Sequence, residues 1–349
     1  MLQALFHAWE RRLASVTKDR VVRPFEWGLD WLSPDAATAD APHPPDLIGE
    51  WVADVMRDTD AFYTPPPTTA YTLGPGLEQG EELLTFPSAL ETPHPENNTV
   101  YGRVFHPKPD PAQTHRAAVV VLPQWNSDAG GHIGLAKLLA MHGLTAVRLS
   151  LPYHDRRMPP ELRRADYIVS ANIVRTLQVC RQAVLDARRA IAWLHAQGYD
   201  RIGILGSSLG SCLSLLTTAH EPLVRAQALN HISPYFADVV WRGISTAHVR
   251  EGLDGHIELE LLRQLWNPLS PANFLERVRD RKTLLVYARY DLTFPVDLSR
   301  ELVRQFERQH IPHELAVLHC GHYTTGVTPF KFIDGLILSR FLKRALLTE

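Results

Sequence analysis

From Ala117 onward the chain alternates short apolar, β-branched runs with longer stretches of helical periodicity, and this alternation constrains the fold more than any other feature. "AAVVVLP" (117–123) reads as a fully buried strand, "GLAKLLAMHG" as a helix stopped by glycine, and "TAVRLSLP" (145–152) as a second strand. A long helix follows, with Leu177, Cys180, Val184, Ala187, Ile191 and Leu194 on one face and Gly198 as its stop. Then come strand "RIGILG", helix "SCLSLLTTA", strands "VRAQALNHI" and "TLLVYARY", helix "SRELVRQFERQ", strand "HELAVLH" and a last helix "FKFIDGLILSRFLKRAL". Strands buried on both faces need helices to cover them. The expected fold class is therefore α/β, a mostly parallel central sheet with helices on both faces. In such sheets the functional groups collect at the carboxyl ends of the strands.

One junction in the series breaks the local rules. In "RIGILGSSLGSCLSLL" a strand passes into a helix through Gly206-Ser207-Ser208-Leu209-Gly210, although glycine weakens both elements. G-x-S-x-G at a strand-to-helix turn is the pattern of a nucleophile elbow, in which the serine sits on a sharp, strained turn and larger residues two positions away would collide with the neighbouring strand and helix. A nucleophilic serine needs a base, and the base needs an orienting acid. Downstream, Asp291 ends "LLVYARYD" where an apolar strand runs into a loop, while Asp297 falls in the next helix, where capping alone explains an acid. In "HELAVLHCGHYTTG", His322 lies past Gly321 in a loop, and His319 is still within the strand pattern, where it packs or hydrogen-bonds. His319 and His322 as a zinc pair lack a further ligand cluster of suitable spacing.

Elbow, late acid and terminal histidine, in that order on alternating strands, resemble the α/β-hydrolase superfamily over roughly residues 100 to 349, within its esterase, lipase and dienelactone-hydrolase-like branches. The resemblance implies Ser208 as nucleophile, His322 as general base and acid, and Asp291 as orienting carboxylate, acting on carboxylic esters through an acyl-serine. It implies no cofactor. A thioesterase, amidase or peptidase would use the same triad, and a non-catalytic binding protein on this fold is the alternative from another class. Where members of the superfamily often carry His-Gly after the first of these strands, this chain reads Pro123-Gln124-Trp125-Asn126. The expected oxyanion donors are the N–H groups of Leu209 and Trp125, with Gln124 as the alternative second donor and Trp125 otherwise a pocket wall.

Two segments are expected to shape the pocket. "LPYHDRRMPP" (151–160) leaves a strand at the catalytic edge; it offers Tyr153 and His154 for substrate binding, and its Asp155, Arg156 and Arg157 read as a salt-bridged surface loop. Residues 234–282 are too long for a simple crossover and read as a helical cap, whose trimming would alter chain-length preference more than stability. Residues 1–99 form an N-terminal extension: an amphipathic helix with Leu2, Leu5, Phe6, Trp9 and Leu13 as its apolar stripe, then proline-rich loops and a candidate first strand, within an irregular stretch (33–113) whose loops connect a few short strands such as "TVYGRVFHP". That helix reads as packing on the body of the protein rather than as a signal peptide, with a membrane-surface or homodimer role as the minority reading. A net charge of -2 gives no reason to expect nucleic acid, and no apolar run reaches the length of a membrane span. Three cysteines without a CxxC pair point to a reducing, cytoplasmic location.

Overall fold

The computed structural model describes residues 2–32, 43–76, 78, 80–111 and 113–348. Its strands are β1 (Thr72–Pro75), β2 (Glu81–Pro87), β3 (Thr99–Phe105), β4 (Ala117–Leu122), β5 (Thr145–Leu149), β6 (Arg201–Ser207), β7 (Val224–Asn230), β8 (Lys282–Ala288) and β9 (Glu314–Leu318). They form one sheet in the order β1-β2-β3-β5-β4-β6-β7-β8-β9. Pairings from β5 through β4 to β9 are parallel, and β1, β2 and β3 extend the sheet antiparallel from β5.

The continuous apolar run of β4 follows from its place in the middle of this sheet. Ala118, Val120 and Leu122 pack on one face and Ala117, Val119 and Val121 on the other, all of them buried. Each valine or leucine so buried contributes about 1.5–3 kcal/mol relative to exposure. Helices α1 (Leu2–Ser15), α2 (Pro44–Arg57), α3 (Thr59–Tyr63), α4 (Ile133–Met141), α5 (Ile173–Ala196), α6 (Leu209–His220), α7 (Phe236–Arg242), α8 (Ala247–Leu253), α9 (Leu259–Leu265), α10 (Val296–Arg308) and α11 (Phe330–Leu347) supply the layers. Leu177, Val184 and Ile191 of α5 and Leu213 and Leu216 of α6 cover the first face; Ala136 and Leu139 of α4 and Leu338, Phe341 and Leu342 of α11 cover the second. Among the described residues no helix is long and apolar enough to cross a membrane, and all three cysteines are buried and free.

Several expectations change in the first third of the chain. The proline-rich stretch contains more than loops and short strands: α2 opens on Pro44, where a missing N–H costs nothing, and buries Ile48, Val52 and Val55. Residues 33–42 of that stretch lie outside the described residues. The buried face of α1 is Phe6, Glu10 and Ala14, whereas Leu2 and Leu5, read as part of its packing stripe, face solvent. The segment 151–160 is salt-bridged but not a surface loop. Arg157 is fully buried and bonded to Asp186 at 2.9 Å, and Asp155 pairs at 2.6 Å with buried Arg148.

Helices α7, α8 and α9 lie between β7 and β8, and their burial bears on what trimming them would cost. Leu253, Leu262 and Trp266 are fully buried, and the Trp266 indole N–H donates to the Ile173 carbonyl at 3.0 Å. Removing them would open the core beneath α2 and α5, so stability falls along with any effect on substrate choice.

Candidate active site

β6 delivers Ser208 to the carboxyl edge of the sheet with φ 55 and ψ −120, and α6 starts at the next residue. This conformation is sterically poor for a residue with a side chain, costing about 1–3 kcal/mol. The neighbourhood enforces it. The Ser208 N–H donates to the Asn230 carbonyl of β7 at 2.8 Å, a Cβ on Gly206 would overlap the Gly210 carbonyl, and a Cβ on Gly210 would overlap the Leu122 carbonyl of β4.

The next two strand ends meet this serine. Asp291 follows β8, and its Oδ1 accepts the N–H groups of Thr293 and Phe294, both at 2.7 Å. His322 follows β9; its Nδ1 lies 2.9 Å from Asp291 Oδ2 and its Nε2 lies 3.1 Å from Ser208 Oγ. The Phe294 ring stacks on the imidazole at 5.4 Å. Burial disfavours the charged imidazole, but the charge and hydrogen bond of Asp291 outweigh it, so the His322 pKa lies above 6.5. Burial likewise opposes ionisation of Asp291, and the two histidines bonded to it overcome that and hold its carboxyl well below the usual range.

The second of those histidines has no counterpart in the sequence reading. His231, at φ 58 just after β7, places Nδ1 3.2 Å from the same Asp291 Oδ2, with its ring 4.6 Å from that of His322. Its only sequence signal is its position at a strand end, "ALNHIS". His231, Asp291 and His322 also present ligand atoms within 4.8 Å of one another, and a cation held there would replace both imidazole–carboxylate hydrogen bonds. The rejected candidates lie elsewhere: Asp297 is in α10, paired with Arg242 at 2.8 Å, and His319 is exposed beyond the end of β9 rather than packed within it.

Trp125, Ser208 and Leu209 line one cavity. The Trp125 indole is pinned by a hydrogen bond to the Ala165 carbonyl at 2.8 Å and by stacking on His248. The other walls come largely from the β7–β8 segment, including Tyr235, Phe236, Val239 and Val240, with Cys212 and Phe294 beside them. Among the described residues the lining contains no charged side chain.

Gln124, Tyr153 and His154, expected to bind substrate, do not line this cavity. Tyr153 is fully buried and its hydroxyl lies 3.0 Å from His94 Nδ1. His154 is buried behind the turn that follows β4: its Nδ1 bonds the Pro152 carbonyl at 2.8 Å, and its Nε2 accepts the Asn126 N–H at 2.9 Å. Burial pushes its pKa down to about 4, which keeps Nε2 an acceptor at neutral pH. His154 thus braces the backbone next to Trp125. Gln124 contributes its carbonyl to the same turn, accepting the Ser127 N–H at 3.1 Å.

No protein-family model matches the sequence, and comparison with curated proteins gives no match. Solved structures do match. The chain is similar to an acetyl xylan esterase from Paenibacillus sp. R4, at 13% identity over 88% of this chain and 96% of that one, with a TM-score of 0.60. It is similar to acetyl xylan esterase 1 from Thermoanaerobacterium sp. JW/SL YS485, at 16% identity over 91% and 99%, with a TM-score of 0.56. It is also similar to the acylaminoacyl peptidase of Pyrococcus horikoshii, at 14% identity and a TM-score of 0.58; there 81% of this chain is covered but only 43% of the peptidase, so the chain spans less than half of that protein's length. With a nine-stranded, mostly parallel sheet and an elbow at the end of β6, this likeness gives the chain the α/β-hydrolase fold.

Proposed function

We propose that this protein is a serine hydrolase that cleaves carboxylic esters with an uncharged, apolar acyl group. The observation that carries the reading is the continuous line Ser208 Oγ, His322 Nε2, His322 Nδ1, Asp291 Oδ2, with steps of 3.1 and 2.9 Å across the imidazole. Ser208 Oγ attacks the carbonyl carbon as His322 Nε2 takes its proton, and Asp291 stabilises the imidazolium so formed. The N–H groups of Leu209, in the first turn of α6, and of Trp125 take the negative charge that develops on the carbonyl oxygen. His322 returns the proton to the departing alcohol, and water then repeats the sequence on the acyl-serine. Ester rather than peptide cleavage is supported by the esterases among the similar structures, which are matched over nearly their whole length, while the peptidase is matched over less than half.

Labelling of Ser208 by a fluorophosphonate, with turnover of p-nitrophenyl esters, tests this reading; a folded protein that does neither is a binding protein on the same fold. The uncharged lining makes a further prediction. A p-nitrophenyl butyrate should exceed an ester whose acyl group ends in a carboxylate by at least about a hundredfold in kcat/KM, because that carboxylate would be buried without a partner. Comparable rates would place the acyl group outside this cavity.

The acidic limb of the pH profile follows from the raised pKa of His322. The base works only when neutral, so kcat/KM should fall as pH drops through a midpoint above 6.5. A midpoint near 4 would match the buried His132 or His154 and displace His322 from the role.

A further inference from the structure

The N-terminal helix α1 crosses the two loops that carry Asp291 and His322, and it does so with the one charged residue on its buried face. Glu10 is fully buried, and its carboxylate accepts the N–H of Tyr323 at 2.9 Å and that of Thr324 at 2.8 Å, the two residues that follow His322. A Cβ on Gly321, the residue before His322, would fall inside the Glu10 carboxyl group, so the glycine is required by the approach of α1. One turn earlier Phe6 stacks on Tyr290, the residue before Asp291, with ring centroids 4.7 Å apart and planes within 10°. The two loops are tied to each other as well, through the Tyr290 N–H to the Cys320 carbonyl at 2.9 Å.

We infer that Glu10 is a positioning residue of the active site, holding the 321–324 turn so that His322 stands between Ser208 and Asp291. This rests on the serine-hydrolase reading above. The turn has internal bonds, Gly321 N–H to Thr324 Oγ1 at 2.7 Å and Thr325 N–H to the Gly321 carbonyl at 3.1 Å, which fix its shape but not its location on the molecule. Glu10 fixes the location together with the Tyr290–Cys320 tie and the His322–Asp291 bond. An apolar side chain there would leave two buried N–H groups unpaired, and that penalty is why a charge is retained on an otherwise apolar helix face. The charged or titratable groups facing His322 among the described residues are Asp291, His231, Glu10 and Tyr323, whose hydroxyl accepts from Arg20, and the charge on Glu10 favours the imidazolium.

The test uses the full chain with Glu10→Gln and Glu10→Asp, following p-nitrophenyl butyrate turnover from about pH 5 to 9 and thermal melting. Glutamine keeps the size but offers one acceptor oxygen and no charge. Its kcat should fall about ten- to hundredfold, the scale of a lost charge-assisted hydrogen bond, with KM changed by less than about twofold. Its acidic limb should also move to lower pH, because a negative charge facing the imidazole is gone. Aspartate keeps the charge one methylene short of the turn, so kcat should fall while the limb stays near its wild-type position. A folded Glu10→Gln with wild-type kcat and limb overturns the inference; so does a loss of activity that follows the melting temperature with the limb unmoved, which would make Glu10 a packing residue. If glutamine prevents folding, wild-type turnover in Glu10→Asp overturns it alone. A wild-type protein that neither turns over the ester nor takes a fluorophosphonate fails at the underlying reading instead, and the inference falls with it.

Discussion

Ser208→Ala is expected to reduce turnover by about 10⁶-fold, the scale on which loss of a nucleophile acts in a complete triad, with little change in melting temperature. Among the described residues the Ser208 hydroxyl bonds to His322 alone, and the backbone bonds that hold the elbow belong to its N–H and carbonyl, which alanine keeps. The neighbouring serines provide the control. Ser211 is fully buried, with its hydroxyl donating to the Ser208 and His231 carbonyls. Ser207 lies 2.9 Å from His132 Nε2, a second serine–histidine pair, but no carboxylate bonds that imidazole among the described residues. Burial also pushes the His132 pKa down to about 4, making it a poor proton acceptor at neutral pH, and Ser208 rather than Ser207 lines the cavity. Ser207→Ala should therefore retain activity to within about tenfold, as expected when a neutral hydrogen bond is lost away from the reacting atoms. Activity surviving in Ser208→Ala, with a fluorophosphonate on Ser207, would move the nucleophile to the His132 pair.

Which parts of this site are legible in the sequence follows from what each part is made of. Ser208, Asp291 and His322 each follow an apolar run, and parallel strands bring their carboxyl ends to one edge, so three positions far apart in sequence become neighbours once the alternation is read. His231 stands at a strand end too, after β7, but its place inside the apolar run "VRAQALNHI", directly before Ile232, makes it read as a continuation of the strand. Glu10 is harder. On a helix that starts with Leu2, Leu5 and Phe6, a charge marks the solvent face by periodicity alone, and only the two N–H groups of a turn more than three hundred residues away explain its burial. Tyr153 and His154 mislead for a related reason: a strand end predicts proximity to the catalytic edge but not the direction of a side chain, and positive φ at Tyr153 turns the backbone there. The missed helix α2 is a matter of weighting, since proline interrupts a helix everywhere except in its first turn, where Pro44 stands.

Asp291→Asn should leave the protein folded and lower turnover on the order of 10⁴-fold, and the structure explains why the substitution is so damaging. Asp291 Oδ1 accepts two backbone N–H groups, from Thr293 and Phe294, each at 2.7 Å. An asparagine must keep its oxygen at that position, since the amide N–H₂ group there would face two donors. Its N–H₂ group is thereby forced to the Oδ2 position, where it meets His322 Nδ1 and His231 Nδ1 together. To accept from it, His322 must carry its proton on Nε2, and that tautomer cannot take the proton of Ser208. His231 can accept at Nδ1 without this conflict, because its Nε2 has no partner among the described residues; a flipped amide would restore the His322 bond only by setting its N–H₂ group against the Thr293 and Phe294 N–H groups. Asp297→Asn, by contrast, removes one partner of an exposed ion pair with Arg242, a contact of the class that contributes about 0–1 kcal/mol, and turnover should stay within about twofold. Steady-state kinetics on the two variants, with fluorophosphonate labelling of Ser208 to count intact sites, separates them. If both lose activity equally and slightly, the orienting carboxylate is not Asp291, and the line from Asp291 through His322 to Ser208 is a structural hydrogen-bond chain rather than a catalytic one.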